Sequence, residues 1–314
     1  MVTVLASTEG LSHEDWLDYR KRAIGGSDAS VCCGINKYRS PVQLWMEKKG
    51  LMPDSESGEP AYWGTLLECV VREEFTKRTG IEVTPVNQIL QSEEHPFMLA
   101  NLDGMCKHPI YGDCIFEAKT ASAYLSDKWK DDSIPDEYVL QVMHYMAVTG
   151  AKGAYVAVLI GGNNFKWKFI ERDDELIDIM IRREAEFWNH IVEDVPPPLD
   201  GSDASASFLN ERFPNSMPKS KIELPEEAVL LIEEYDAVCE QLSSLSERKQ
   251  ESENLLKQMM GENEYGSAGD KIISWKSVTQ ERLDSKTLKI EHPALYKKFA
   301  NKTSYRRFSI RAAS

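Results

Sequence analysis

The stretch from Leu99 to Thr120 constrains the chain most. It reads as two β-strands, one within Met98–Cys106 and one ending in Ile115-Phe116-Glu117-Ala118-Lys119, joined by a turn at His108-Pro109-Ile110-Tyr111-Gly112. Side chains alternate along a strand, so Glu117 and Lys119 share one face while Phe116 and Ala118 point the other way. The hairpin returns Asp103 to the neighbourhood of Glu117. Two carboxylates with an ammonium beside them, on an open and hydrated strand face, suit a hard divalent cation such as Mg²⁺. That ion takes few carboxylates and fills its remaining positions with water and phosphate oxygens. The same three residues also fit an ordinary solvated strand face, so the flanking sequence has to decide.

A chain of 314 residues is long enough for one sizeable core and a smaller second unit. No apolar run approaches a membrane span, and no charged segment followed by an apolar one marks a secretory signal. The six cysteines form no C-x-x-C pair, which argues against structural zinc and predicts small buried thiols in a reducing, cytoplasmic setting. The formal net charge of −14 at first disfavours a nucleic-acid partner. Its distribution is uneven. Residues 271–314 carry 11 Lys/Arg against 3 Asp/Glu, a local +8, which leaves −22 on residues 1–270.

Read in order, residues 1–11 look irregular. Ser12 with Asp15 forms a capping-box-like start for a helix carrying Trp16 and Arg20. Ile24-Gly25-Gly26-Ser27-Asp28 opens a second helix, where backbone N–H groups and a hydroxyl make either an ordinary cap or a cradle for an anion. Lys37-Tyr38-Arg39 is a basic, aromatic turn before a third helix, and residues 53–60 form a polar loop. The next helix runs from Trp63-Gly64 to Thr79, with Leu66, Leu67, Val70, Val71 and Phe75 at helical spacing and Glu68 among them. A carboxylate in that position must be paired, hydrated or bound to a metal. A strand near 81–86 precedes the hairpin. Beyond it come a helix over 135–149, with Gln141 and Tyr145 one turn apart, a buried strand from Gly153, a half-wet strand over 165–172 and a helix over 174–193. Three prolines at 196–198 mark a boundary, followed by a polar linker at 200–222. Pro225 and Gly261 bracket one long amphipathic helix whose apolar residues, from Leu231 to Met259, follow a 4-3 spacing interrupted at Lys249 and Ser252. It is expected to pack on a partner helix or on a copy of itself. A strand (271–280), two short helices (284–300) and a strand (304–311) complete the chain.

Trp16-x-x-x-Arg20, Ile24-x-x-Ser27-Asp28, Trp63-Gly64-x-x-x-Glu68, Leu102-Asp103-Gly104, Glu117-x-Lys119 and Gln141-Val-x-x-Tyr145 occur here in one order and spacing. Over residues 12–195 they resemble the phage lambda exonuclease and YqaJ-like alkaline exonucleases of the PD-(D/E)xK nuclease superfamily. The resemblance implies an α/β fold, a PD-(D/E)xK core with a central mixed β-sheet flanked by helices, over residues 1–199. The linker then leads to a C-terminal long helix and small α+β unit at 223–314. It implies Mg²⁺-dependent digestion (Mn²⁺ as an alternative) of one strand of duplex DNA from a 5′-phosphate end, leaving a 3′ single-stranded tail. Asp103, Glu117 and the carbonyl of Ala118 would hold the metal, with Glu68 completing the acidic cluster. Lys119 would act on the attacking water, and Gln141 would orient Lys119 or the scissile phosphate. Arg20 and Ser27 would grip the 5′-phosphate, with Lys37, Arg39 and Tyr145 on the DNA side. Glu59 stands where lambda exonuclease has a lysine, so a strand contact there is not carried over. A ring-shaped homo-oligomer, trimeric by resemblance, and a phage single-strand annealing protein are the implied partners. A restriction-like or structure-selective endonuclease, or a non-catalytic DNA-binding scaffold, are the rival readings. The basic C-terminal unit is expected to meet DNA or the annealing protein, or simply to balance the acidic body.

Overall fold

The computed structural model describes residues 2–52, 58–131, 133–301 and 305–311. The chain divides into two compact units, Met1–Arg212 and Phe213–Ser314. The first opens with β1 (Val2–Ser7), α1 (His13–Lys21), β2 (Ile24–Gly25), α2 (Gly26–Cys32), α3 (Pro41–Lys48) and α4 (Glu59–Thr79). There follow β3 (Val83–Thr84), β4 (Gln88–Ser92), β5 (Met98–Asn101), β6 (Gly104–His108) and β7 (Gly112–Ala121). A short 3-10 segment (Ala123–Trp129) leads to α5 (Asp136–Thr149), β8 (Gly153–Ile160), β9 (Asn164–Glu171), α6 (Asp174–Val192) and α7 (Asp203–Arg212).

The central sheet is mixed, in the order β3-β6-β7-β8-β9. β6 and β7 form the expected hairpin, paired from Gly104↔Phe116 to His108↔Gly112, and β7 runs parallel to β8. Alternation divides the sheet between two cores. Ile115, Val156 and Val158 pack toward α5, whereas Phe116, Tyr155 and Ala157 pack toward Val71 and Phe75 of α4. A helix on each face of this sheet bears out the α/β nuclease-type core.

Several expectations change in the first unit. The strand read as Met98–Cys106 is broken at Leu102-Asp103: β5 belongs to a second, four-stranded sheet ordered β1-β4-β5-β2, and β6 to the central one. Asp103 therefore sits where the chain passes from one sheet to the other. Residues 1–11 are not irregular throughout, because β1 pairs with β4, a strand the propensity reading missed. Most of β1 is exposed, so its period carries little signal. On α4 only Val71 and Phe75 are buried, and Leu66 and Val70 of the apolar row are exposed. The span read as polar linker contains α7, whose Phe208 joins Trp45 and Phe187 in a core cluster, so the first unit extends through Arg212. The polar loop read at 53–60 falls mostly outside the described residues.

The second unit holds α8 (Glu227–Met260), a hairpin of β10 (Tyr265–Ala268) and β11 (Lys271–Ser274), and short helices α9 (Ser285–Glu291) and α10 (Pro293–Phe299). The strand expected at 304–311 does not form over the described residues 305–311.

Phe75 is fully buried, with ring centroids 5.0 Å from Phe116 and 5.1 Å from Tyr155. Truncating it removes both contacts and leaves a cavity beneath the strand that carries Glu117. Phe75→Ala should cost about 3–5 kcal/mol, read as a lower urea midpoint with unchanged denaturant slope.

Candidate active site

A cleft of about 360 Å³ is lined by Trp16, Arg20, Gly26 and Ser27 from the N-terminal elements and Glu68 from α4. Asp103, Glu117, Ala118 and Lys119 line it from the hairpin, and Tyr138, Gln141 and Tyr145 from α5. Most residues singled out in the sequence thus meet in one place.

Two backbone facts set the centre. The β6–β7 register brings the chain before Gly104 alongside the chain after Phe116, and the Ala118 N–H donates to Asp103 Oδ2 at 2.8 Å. Glu117 Oε1 accepts from Lys119 Nζ at 2.6 Å and from Gln141 Nε2 at 2.7 Å. Gln141 also donates to the Tyr145 hydroxyl at 3.0 Å, so α5 supplies an amide–phenol pair that holds the carboxylate from above. Lys119 Nζ lies 5.0 Å from the Tyr138 ring centroid, over its face.

The face is not open and hydrated as expected from alternation. Glu117 is only 2% exposed, because α5 packs over this part of β7 and α2 packs in turn on α5. Gly26 shows how closely: a Cβ there would meet the Tyr145 ring at 2.5 Å and Gln141 Cγ at 3.1 Å. Only a glycine lets the N-terminus of α2 approach the carboxylate's own partners.

Burial dominates the electrostatics. It pushes Glu117 up to about 8, reinforced by Asp103 and opposed by Lys119. Burial also raises Asp103, against the pull of Lys119 and the Ala118 N–H. Lys119 is raised even though burial works the other way, because Glu117 and Asp103 favour its charge. Glu68 is raised by burial and by Asp103, and pairs with Arg72 at 3.1 Å. Three carboxylates, Glu68, Asp103 and Glu117, line the cleft against two cations, Arg20 and Lys119, and among the described residues the buried Glu117 Oε2 has no hydrogen-bond partner.

That orphaned oxygen beside Asp103 fits a divalent cation. Among the described residues no group of three or more His, Cys, Asp or Glu side chains gathers closely enough to hold a metal alone. Two carboxylates and a backbone carbonyl, completed by water and phosphate oxygens, are what Mg²⁺ accepts. Glu68 shares the cleft, with its side chain engaged by Arg72.

Also lining the cleft, Arg20 Nη2 donates to Ser27 Oγ at 3.0 Å and lies 3.4 Å from Asp28 Oδ1. Its guanidinium stacks over Trp16, 4.9 Å from the ring centroid. Asp28, fully buried, accepts from Lys48 at 2.6 Å, Arg39 at 2.7 Å and the Gly25 N–H at 3.0 Å. Burial alone would raise this carboxyl, yet Lys48, Arg39 and Arg20 together hold it well below the usual range. Lys48 is satisfied by the carbonyls of Arg20 and Ala23 as well, which ties the end of α1 to the start of α2.

Two expected DNA-side residues lie elsewhere. Arg39 turns inward to Asp28 and Glu47. Lys37 is exposed on an adjoining hollow that it shares with Tyr38, Lys128 and Tyr138. The sequence assigns no site role to Asp28, present only as the last residue of the Ile24-x-x-Ser27-Asp28 motif, or to Lys48, and no local pattern links the two across 20 positions.

Residues 15–152 match the model of the YqaJ-like viral recombinase domain, a span that holds every residue of the cleft. A protein of Bacillus subtilis (strain 168), the uncharacterized protein YqaJ, is 43% identical over 316 aligned positions, 99% of this chain and 98% of its own length. The chain belongs to the YqaJ family. Structural likenesses to this YqaJ-family chain are more distant. The alkaline exonuclease LHK-Exo from Laribacter hongkongensis aligns over 63% of the chain and 97% of its own, at 19% identity and a TM-score of 0.48. Its complex with dAMP aligns at 20% identity and 0.49, with the same coverage. A phage-related exonuclease from Haemophilus somnus 129PT aligns over 55% of this chain and 96% of its own, at 11% and 0.43.

The raised Glu117 carboxyl sets a pH dependence in metal-free buffer. A carboxyl whose folded pKa lies above its unfolded value favours folding fully below the unfolded pKa, and that contribution is lost as pH rises to about 8. Wild-type stability should therefore fall between about pH 4.5 and 8 on this account. Glu117→Gln should remove that part of the slope in EDTA, checked by thermal unfolding across pH.

Proposed function

We propose that this YqaJ-family chain is a Mg²⁺-dependent exonuclease that hydrolyses one strand of duplex DNA from a 5′-phosphate end. The observation that carries the reading is a single cleft lined both by Asp103, Glu117 and Lys119 and by Arg20 with Ser27. The first group suits hydrolysis of a phosphodiester, the second a terminal phosphate.

Asp103, Glu117 and the Ala118 carbonyl would hold the cation, which when bound supplies charge neutralisation and a lowered pKa for its water. Lys119, anchored by Glu117, positions the attacking water and donates to the charge that develops on the phosphate oxygens. Gln141 fixes Glu117 and leaves the Lys119 donors directed to substrate. Water adds to phosphorus, the bond to the 3′ oxygen of the terminal nucleotide breaks, and that oxygen takes a proton. The shortened strand again carries a 5′-phosphate. Arg20 offers a planar fork for that group, and Ser27 a hydroxyl at the start of α2. Recognition of each new end by the same pair supports stepwise degradation with 3′ tails as product. A ring-shaped homo-oligomer and an annealing protein that takes the tails belong to this proposal.

The test uses linear duplex with 5′-phosphate or 5′-hydroxyl ends, and closed circles, in Mg²⁺ or EDTA. Mononucleotide release from 5′-phosphorylated linear duplex in Mg²⁺ only is the expected result; nicking of closed circles would assign an endonuclease instead. Asp103→Ala and Lys119→Ala should each lower the rate at least a hundredfold. Arg20→Ala should slow 5′-phosphate ends far more than 5′-hydroxyl ends, and equal losses would place Arg20 in fold support alone.

A further inference from the structure

In α8, Leu231, Tyr235, Val238, Leu242, Leu245, Lys249, Ser252, Leu256 and Met259 alternate steps of four and three without a break. That is a heptad seam of four repeats, about 42 Å long at 1.5 Å per residue. The seam is uncovered: Val238, Leu242, Leu245, Leu256 and Met259 are 40–80% exposed, and Met260 is the one buried residue of α8. Only Tyr235 has a ring neighbour there, an edge contact with Phe308. An isolated helix with such a stripe gains little from propensity and most from burying it.

We propose that α8 is one helix of a parallel, in-register coiled coil between copies of this chain. Two features select that occupant. Lys249 and Ser252 are the polar interruptions, and only in-register parallel pairing places each against its own copy, in adjacent layers. Antiparallel pairing of the seam over its full length opposes Lys249 to Leu242 and Ser252 to Val238 of the second copy. A single polar position of this kind fixes register at some cost in stability. Parallel pairing also sets Arg248, flanking the seam on one side, against Glu253 of the partner subunit on the other. Symmetry repeats that pair across the polar layers. The other flanking pairs of this alignment, Glu234 with Cys239, Gln241 with Ser246 and Leu255 with Met260, bring no like charges together.

Site-directed cross-linking of the full chain decides it, with the exposed Cys69 and Cys239 replaced by Ser for a clean background. Met259→Cys at the end of the seam should form an interchain disulfide under mild oxidation at least tenfold faster than Asn254→Cys on the outer face. In a parallel register Met259 meets its own copy; in an antiparallel one the two lie at opposite ends. Adding Leu242→Asp with Leu245→Asp should return the rate to that of Asn254→Cys. Both substitutions fall on exposed positions, and far-ultraviolet circular dichroism checks that the first unit keeps its fold. Equal rates at the two cysteine positions, or cross-linking that survives the double aspartate, would overturn the proposal.

Discussion

Glu117 imposes the central constraint on the first unit. A carboxylate nearly sealed from water needs its charge answered, and the surrounding structure is arranged to do so. Lys119 follows two residues later on the same strand face, Gln141 reaches down from α5, and Tyr145 braces Gln141. Asp103 adds a second negative charge, held by a peptide N–H in place of a cation. The protein partners leave one oxygen of Glu117 unanswered. The burial that makes this site costly for the fold also lends it chemical strength, because charges interact more strongly where water is scarce.

A second buried carboxylate, Asp28, organises the Arg20 and Ser27 part of the cleft wall by the opposite balance. Three cations surround it, so its charge is stabilised where that of Glu117 is strained. Lys48 and Arg39 are consumed by this arrangement, while Arg20, farther away at 3.4 Å, keeps its guanidinium in the cleft. One acidic residue thus supports the basic surface beside it. The overall excess of acidic residues in the first 270 positions therefore says little about the sign of charge that a ligand meets in this cleft.

Much of this was legible in the chain. The hairpin, the parallel strand at 153–160, α5 and α8 show strong periodicity or clear stop signals, and they stand where the pattern put them. Period-two alternation put Glu117 and Lys119 on one face and helical spacing put Gln141 with Tyr145, while the meeting of these pairs with Asp103 rested on the family resemblance. What escaped depends on contacts distant in sequence. β1 and β4 are strands because they pair with each other, not because either segment is emphatic. The burial of Glu117 and the inward turn of Arg39 follow from helices packing over them, which local pattern does not encode. Gly26 looked like a turn residue, whereas its need for glycine comes from Tyr145, 119 positions away.

The hydrogen bond from the Ala118 amide to Asp103 makes one peptide proton a built-in reporter of the site. Its strength depends on whether Asp103 is charged, so its NMR shift should follow the ionisation of that carboxylate, and its exchange with solvent the opening of β7. The amide lies within β7, just past its last pair with β6 and alongside Ala157 of β8, which separates these signals from loop motion. A single nitrogen-15 label at Ala118 would then watch the charge state of the cleft without altering any side chain in it.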